Sequence, residues 1–532
     1  MKLPFSRVFI LLAALLIANA TAAASAYNAR PKLIVVVVID QFRGDYLERY
    51  HEQFGQGGFR LLMERGAWFT DCNYDYPATF TAPGHATLLT GTYSSGHGIF
   101  ANEWWNPAKK KMVTSVEDDT TTLVGASKPG IGASPRNLLG STLGDELKLA
   151  TGGKARVFTI SLKDRSSVLP AGFAADGAYW IDQATGVFIT SSFYRQQLPE
   201  WVAAFNNAKR GDKYLDLEWK DAKGNVLRST RGNGDYYHSV GSTPFGNDYE
   251  LEFARELVTQ EKLGSGPATD LLVVSLSALD ILGHEVGPDS PQAAAMALAL
   301  DRQLAEFFAF LGRQVGLANI WIALTADHGV SPTVATTERL RIPAPVLGFQ
   351  AADRQKVSAL IGARLGSTRN DFVRHLEWPL VYLNDEAFAG TKAASEAEAE
   401  RVAGEALKEL GARAYFTKVQ LAAGDVPSTD TGRRFAHGYS PYGGWYLLAQ
   451  MPPFTLPWRS GTTHGSPYSY DTHVPLLFYG LPFRSGIYRT HAEPADMAPT
   501  LASLLGINQP SNATGRVLTE GLVPQPVAAG DR

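Results

Sequence analysis

Short apolar runs punctuate the chain, and each ends in a polar turn. "KLIVVVVID" stops at Asp40, "ARVFTISLKDR" runs out through Lys163 and Arg165, "DLLVVSLSALD" reaches Asp280, and "NIWIALTADHG" reaches Asp327 and His328. "THVPLLFYG" is a late run of the same kind. Runs this short and this rich in Val, Ile and Leu suit strands buried on both faces. Longer amphipathic stretches lie between some of them, such as "SPQAAAMALALDRQLAEFFAFLGRQVG" from Ser290. Strands alternating with helices predict an α/β fold with a mostly parallel central sheet flanked by helices. Four of the strands deliver acidic, basic or histidine residues just past their C-terminal ends, which is where open α/β sheets bind ligands.

Two stretches break the alternation. Residues 170–245 are rich in Tyr, Trp, Gly and Asn, as in "GVFITSSFYRQQLPEW" and "RGNGDYYHS". Residues 345–450 mix the helical "ASEAEAERVAGEALKELGA" with the aromatic "YSPYGGWYLLAQ". Both read as insertions that cap the sheet of one catalytic domain over 27–532. "EAEAER" reads as a solvated helix face, and no internal repeat is visible.

The first 26 residues read differently. "MKLPFSR" carries Lys2 and Arg7, "VFILLAALLIA" is apolar but short for a bilayer span, and Ala24-Ser25-Ala26 makes a cleavage site. This pattern predicts a secretory signal peptide over 1–26, with an uncleaved anchor as the alternative. The charges of the 532-residue chain nearly balance, 49 basic against 52 acidic, and losing Lys2 and Arg7 would take the net charge from −3 to about −5. That excludes a polybasic nucleic-acid or membrane-surface binder. Cys72 is the sole cysteine, so no intrachain disulfide can form. Export without disulfides fits a bacterial periplasm.

Candidate metal ligands cluster at the strand ends. Asp280 and His284 form D-x-x-x-H, which puts carboxylate and imidazole on one helix face. Asp327 and His328 are adjacent, and a turn could aim both inward. His464 lies in the loop "GTTHGSPYSYDTHVPLL", with His473 nearby. Each pair alone is weak. With Asp40 they form a mixed oxygen and nitrogen set large enough for two zinc-like sites with open positions. A further stretch, "YPATFTAPGHATLLTG", carries Thr79 and Thr81 before Pro-Gly-His. Capping of a helix near Pro83 explains these hydroxyls as well as chemistry does.

The residues together resemble a known family. Asp40 after "VVVVI", "TAPGHATLLTG", "HGIFANEWW", "SLKDRSSV", "SLSALDILGHEVGP", "LTADHGV", "GTTHGSPYSYDTHVPLLFYG" and "ADMAPTLASLLGI" with "GRVL" occur in order from residue 31 to about 518. The chain is similar to the alkaline phosphatase superfamily, and within it to the bacterial periplasmic alkaline phosphatases with a threonine nucleophile, the PafA type. The resemblance implies two Zn²⁺ per chain. Asp40, Asp327 and His328 would bind the ion that also touches Thr81, and Asp280, His284 and His464 would bind the other. Thr81 would attack phosphorus to give a covalent phosphothreonine. Asn102 would hydrogen-bond a phosphoryl oxygen, and Lys163 and Arg165 would contact the phosphoryl group. His473 carries no ligand role.

The expected activity is hydrolysis of a broad range of small phosphate monoesters for phosphate scavenging, by a periplasmic enzyme, monomeric, with no nucleic-acid partner and no membrane after signal cleavage. The extra cations Lys163 and Arg165 suit a monoester's higher charge. The alternative is a phosphodiesterase or nucleotide pyrophosphatase of the same superfamily. A sulfatase would need a C/S-x-P-x-R motif where "TAPGH" stands, and a non-catalytic binding protein would have less reason to keep every ligand.

Overall fold

The computed structural model describes residues 30–232, 234–348 and 351–524. Residues 1–26, read as a signal peptide, lie outside them. No helix among the described residues is long and apolar enough to cross a membrane.

The parallel core runs Ile320–Thr325, Leu33–Ile39, Asp270–Leu276, Val157–Ser161 and Gly177–Ile181, in that spatial order. The central strand Leu33–Ile39 is no more than 1% exposed at any position. It pairs on both edges and is covered on both faces, which is why an unbroken run of Val and Ile is stable there and alternation is absent. The run "THVPLLFYG" supplies Leu476–Tyr479, which pairs antiparallel to Ile320–Thr325, with Ala67–Phe69 and Gly486–Tyr488 beyond it. On the other side the sheet continues through Phe188–Ser191, Glu117–Val124 and Ile131–Ala133, giving eleven strands among the described residues. Helices Pro244–Gln260 and Pro291–Gln314 pack on each other over one face, and Thr81–Thr90 packs with Asp164–Ala171 over the other.

The stretch 170–245 divides. Gly177–Ile181 and Phe188–Ser191 belong to the main sheet, so this part extends the sheet and does not cap it. Their aromatic composition hid them: Tyr179, Trp180 and Phe188 are buried strand residues. Only the remainder, with the hairpin Glu218–Lys220/Val226–Ser229 and the short helix Tyr236–Ser239, is an addition to the sheet.

The stretch 345–450 builds a separate four-stranded antiparallel sheet, ordered Val373–Glu377, Leu380–Leu383, Tyr446–Gln450, Ala414–Thr417. Strand alternation divides its side chains between two cores. Leu380, Tyr382, Tyr446 and Leu448 join the central core. Val381, Leu383, Leu447 and Ala449 point the other way, into a second cluster with Val357, Ile361 and Ala403. The insertion is also tied to the central fold by Asp75, which takes Arg433 at 2.8 Å, His437 at 3.1 Å and Arg434 at 3.3 Å.

Candidate active site

The C-terminal ends of the parallel strands bring Asp40, Asp280, Asp327 and His328 into one buried pocket. Asp40 follows Leu33–Ile39, and Asp327 with His328 follows Ile320–Thr325. After Asp270–Leu276 the chain turns through Ser277 into the helix Ala278–Val286, which carries Asp280 and His284 one turn apart. His464 arrives from the loop before Ser469–Thr472. Asp280 Oδ1 lies 3.2 Å from His284 Nε2 and 3.6 Å from His464 Nε2. His328 Nε2 lies 3.4 Å from Asp40 Oδ1, 3.3 Å from Asp327 Oδ2 and 3.5 Å from Thr81 Oγ1. Within this pocket two clusters have ligand atoms close enough to share one ion: Asp280 with His284 and His464, and Asp40 with Asp280 and His328. The second differs from the sequence expectation in drawing on Asp280, while Asp327 stands against the same His328.

The donor set fits divalent metal ions. Each of the three histidines has its Nδ1 against a backbone carbonyl: Thr462 at 3.0 Å for His284, Gly329 at 2.9 Å for His328, and Thr79 at 2.7 Å for His464. Those bonds assign the proton to Nδ1 and leave each Nε2 lone pair facing the carboxylates. Two buried carboxylate oxygens, Asp40 Oδ1 and Asp327 Oδ2, have no hydrogen-bond partner. Buried anionic oxygens left this way are costly unless a cation meets them. Burial, then repulsion from Asp280 and Asp327, pushes the Asp40 carboxyl well up. Burial pushes Asp327 up too, but His328 and His85 outweigh it and hold that group below the usual carboxylate range. Burial, aided by the other two histidines, holds His464 well below its ordinary value, the neutral form a ligand needs. The His284 side chain is 37% exposed while His328 is fully buried, so the pocket opens on the His284 side.

Thr81 is the first residue of the helix Thr81–Thr90, and Phe80, not Thr79, is its N-cap. Thr79 does other work: its hydroxyl donates to the Ser466 carbonyl at 3.0 Å and accepts from Gly465 N–H at 3.2 Å, holding the His464 loop. The cap comes from elsewhere in the chain. Asn102 Oδ1 accepts the Ala82 N–H at 2.8 Å. With Ala82 N–H taken by Asn102 and Gly84 N–H by the Phe80 carbonyl, and Pro83 lacking an N–H, the helix start offers an anion the N–H of Thr81. Gly84 is required by close approach, since a Cβ there would sit 2.3 Å from the Asp327 carbonyl oxygen.

Lys163 and Arg165 do not continue the strand. Val157–Ser161 ends first, and Lys163 is the N-cap of Asp164–Ala171. The K-x-R spacing would aim both along one face if the strand continued, but here a turn aims them. Lys163 Nζ sits 2.5 Å from Asp40 Oδ2 and 2.5 Å from Asp280 Oδ2. Burial lowers the Lys163 ammonium's pKa, but Asp280 and Asp40 outweigh it and raise it above its ordinary value. Arg165 Nε is buried with no partner, and Asp164, 3.9 Å away, is its ion pair.

Three neighbours were missed by sequence reasoning. His85 is fully buried, with Nδ1 2.9 Å from the Thr81 carbonyl and 3.3 Å from Asp327 Oδ2, and Nε2 2.7 Å from Ser275 Oγ. The Pro-Gly-His motif was its only sequence signal. Gln41 has a left-handed backbone (φ 65°), which costs a non-glycine residue about 1–2 kcal/mol. Tyr237 lies within electrostatic reach of Lys163 and Arg165; burial pushes its phenol up to about 12 although both cations pull it down. His473 lies apart, with Nε2 2.9 Å from the Thr70 carbonyl.

Residues 34–447 match the family described as type I phosphodiesterase / nucleotide pyrophosphatase. Alkaline phosphatase PafA of Elizabethkingia meningoseptica is 33% identical over 520 residues, covering 92% of this chain and 94% of that protein. Alkaline phosphatase PhoV of Synechococcus elongatus is 34% identical over 528 residues, covering 92% and 93%. The crystal structure of wild-type alkaline phosphatase PafA superposes with a TM-score of 0.84 at 31% identity, covering 93% of this chain and 99% of that one. On this similarity, spread over nearly the whole described chain, the protein belongs to the type I phosphodiesterase / nucleotide pyrophosphatase family and, within it, to the alkaline phosphatases of the PafA type.

Proposed function

We propose that the protein is a zinc-dependent alkaline phosphatase that hydrolyses small phosphate monoesters through a phosphothreonine at Thr81. The observation that carries this reading is the pair of cations, the buried Lys163 and the partly exposed Arg165, beside the carboxylate and histidine pocket. A monoester's terminal phosphoryl group carries more negative charge than a diester's, and two extra cations favour it. Asp40, Asp327 and His328 would hold one zinc ion and Asp280, His284 and His464 the other. Zinc there supplies Lewis-acid charge that makes the Thr81 alkoxide accessible and stabilises the leaving oxygen.

The chain's own groups do the rest. Thr81 Oγ1, at a helix start fixed by Asn102, attacks phosphorus in line as the bond to the ester oxygen opposite breaks, and that oxygen leaves as the alcohol once water protonates it. Because Asn102 Oδ1 is held by Ala82 N–H, the amide NH₂ remains to donate to a phosphoryl oxygen. Lys163 and Arg165 meet the charge on the remaining oxygens, and the Thr81 N–H adds a helix N-terminal donor. Water then cleaves the phosphothreonine and returns the hydroxyl. We place the mature enzyme in the periplasm after removal of 1–26, as a monomer acting on many monoesters for phosphate scavenging.

A second reading, a phosphodiesterase, is favoured by the description of the matching family. A side-by-side assay separates the two. Purified protein with metal analysis should hold two zinc ions and release phosphate from aryl and sugar phosphates faster than it cleaves bis-aryl phosphates. Equal or reversed rates overturn the monoesterase reading.

A further inference from the structure

Gln41 stands between the two candidate ligand groups. It follows Asp40 directly, is 1% exposed and takes a left-handed conformation at φ 65°. Its backbone N–H donates to Asp327 Oδ1 at 3.1 Å. Its side-chain Nε2 donates to Asp280 Oδ1 at 2.6 Å. That oxygen is the one nearest His284 Nε2 and His464 Nε2, while the second oxygen of Asp327 faces His328 Nε2. A single residue thus holds a carboxylate from each group and is bonded to the third, Asp40.

The surroundings make this hold specific. Gly283 lies inside the D-x-x-x-H turn, and a Cβ there would meet Gln41 Oε1 at 2.0 Å. The amide oxygen is therefore packed on Gly283, which leaves the NH₂ for Asp280. A carboxylate oxygen has two lone pairs, so accepting from Gln41 leaves one for a metal. A residue held in a sparsely populated conformation at a site persists only when its surroundings over-determine it, and here two carboxylates and a glycine do so.

We propose that Gln41 is a positioning residue that couples the two metal centres, its amide orienting Asp280 and its N–H orienting Asp327. The inference rests on the two-metal reading above. Outer partners of this kind are worth about 10–100-fold in metal affinity.

Gln41→Asn separates the two contacts. Asparagine tolerates the left-handed backbone and keeps the N–H to Asp327, but its amide falls one carbon short of Asp280. Zinc titration of the chelator-stripped protein should show two steps in the parent. His284→Ala identifies the step that belongs to Asp280, His284 and His464. In Gln41→Asn that step should weaken about 10–100-fold while the other stays within threefold of the parent. Both steps unchanged, or both weakened equally, overturns the proposal. If Gln41→Asn does not fold, Gly283→Ala displaces the same amide from the other side, with the same selective loss expected and the same outcomes overturning it. If the parent itself takes up fewer than two zinc ions, the two-metal reading fails and the coupling with it.

Discussion

Lys163→Met removes the one ammonium that the structure places between Asp40 and Asp280. Its Nζ is 2.5 Å from an oxygen of each, and the side chain is 2% exposed. Deleting one partner of a buried pair costs about 3–5 kcal/mol, because it leaves the other charge uncompensated. Here two carboxylates are left facing each other, so the metal-free variant should lose at least that much. Asp40, already pushed up by burial and its neighbours, would take a proton to relieve the repulsion. A group whose folded pKa is raised adds stability that is lost as pH rises, so the deficit should grow from pH 5 to pH 8. Bound zinc would neutralise the same carboxylates and shrink the deficit. Catalysis should also suffer, by about 10²–10³-fold in kcat on a monoester if Lys163 meets developing charge, and by less on a diester. The assay is guanidinium unfolding with and without chelator at both pH values, with kcat/KM for an aryl monoester and a bis-aryl diester. Stability within about 1 kcal/mol of the parent when metal-free would refute the buried-pair argument. Equal losses on the two substrates would refute the specificity argument.

Thr81→Ala should abolish turnover while the protein still binds metal, and Thr79→Ala should leave turnover within an order of magnitude. The Thr79 variant strands the Ser466 carbonyl and the Gly465 N–H, at about 1 kcal/mol for each lost bond, so it should lose about 2 kcal/mol of stability by chemical denaturation. The reverse pattern would move the nucleophile to Thr79. Away from the site, burial pushes the fully buried Glu400 up to about 8, although the Val419 N–H pulls the other way. Its raised folded pKa means that stability is present below the unfolded value of 4.5 and is lost as pH rises toward 8. Glu400→Gln should therefore flatten that decline in guanidinium melts between pH 5 and 9, and an unchanged slope would show that Glu400 titrates normally.

The fold was largely legible because parallel strands buried on both faces must be continuous apolar runs, and four of them end in residues too polar to be there for packing. Asp280 and His284 were legible for the same local reason, since positions one helical turn apart share a face. The strands Gly177–Ile181 and Phe188–Ser191 were not, because their aromatic content and flanking glycines read as insertion. Nor could spacing say where Lys163 and Arg165 point, since a strand and a helix start aim a K-x-R pair differently.

The sequence by itself determined the alternation of strands and helices, the position of the polar residues at strand ends, and the kinds of donor available: carboxylate, imidazole, hydroxyl and two cations. These are local properties, set by periodicity and by the chemistry of each side chain. Only the tertiary structure decided which donors meet. Asn102 caps a helix 20 residues earlier in the chain, Gln41 reaches Asp280 across 239 residues, and Thr79 holds a loop 387 residues away. Such contacts depend on how the sheet brings distant turns together, and a hydrogen bond across that distance leaves no periodic trace in either segment.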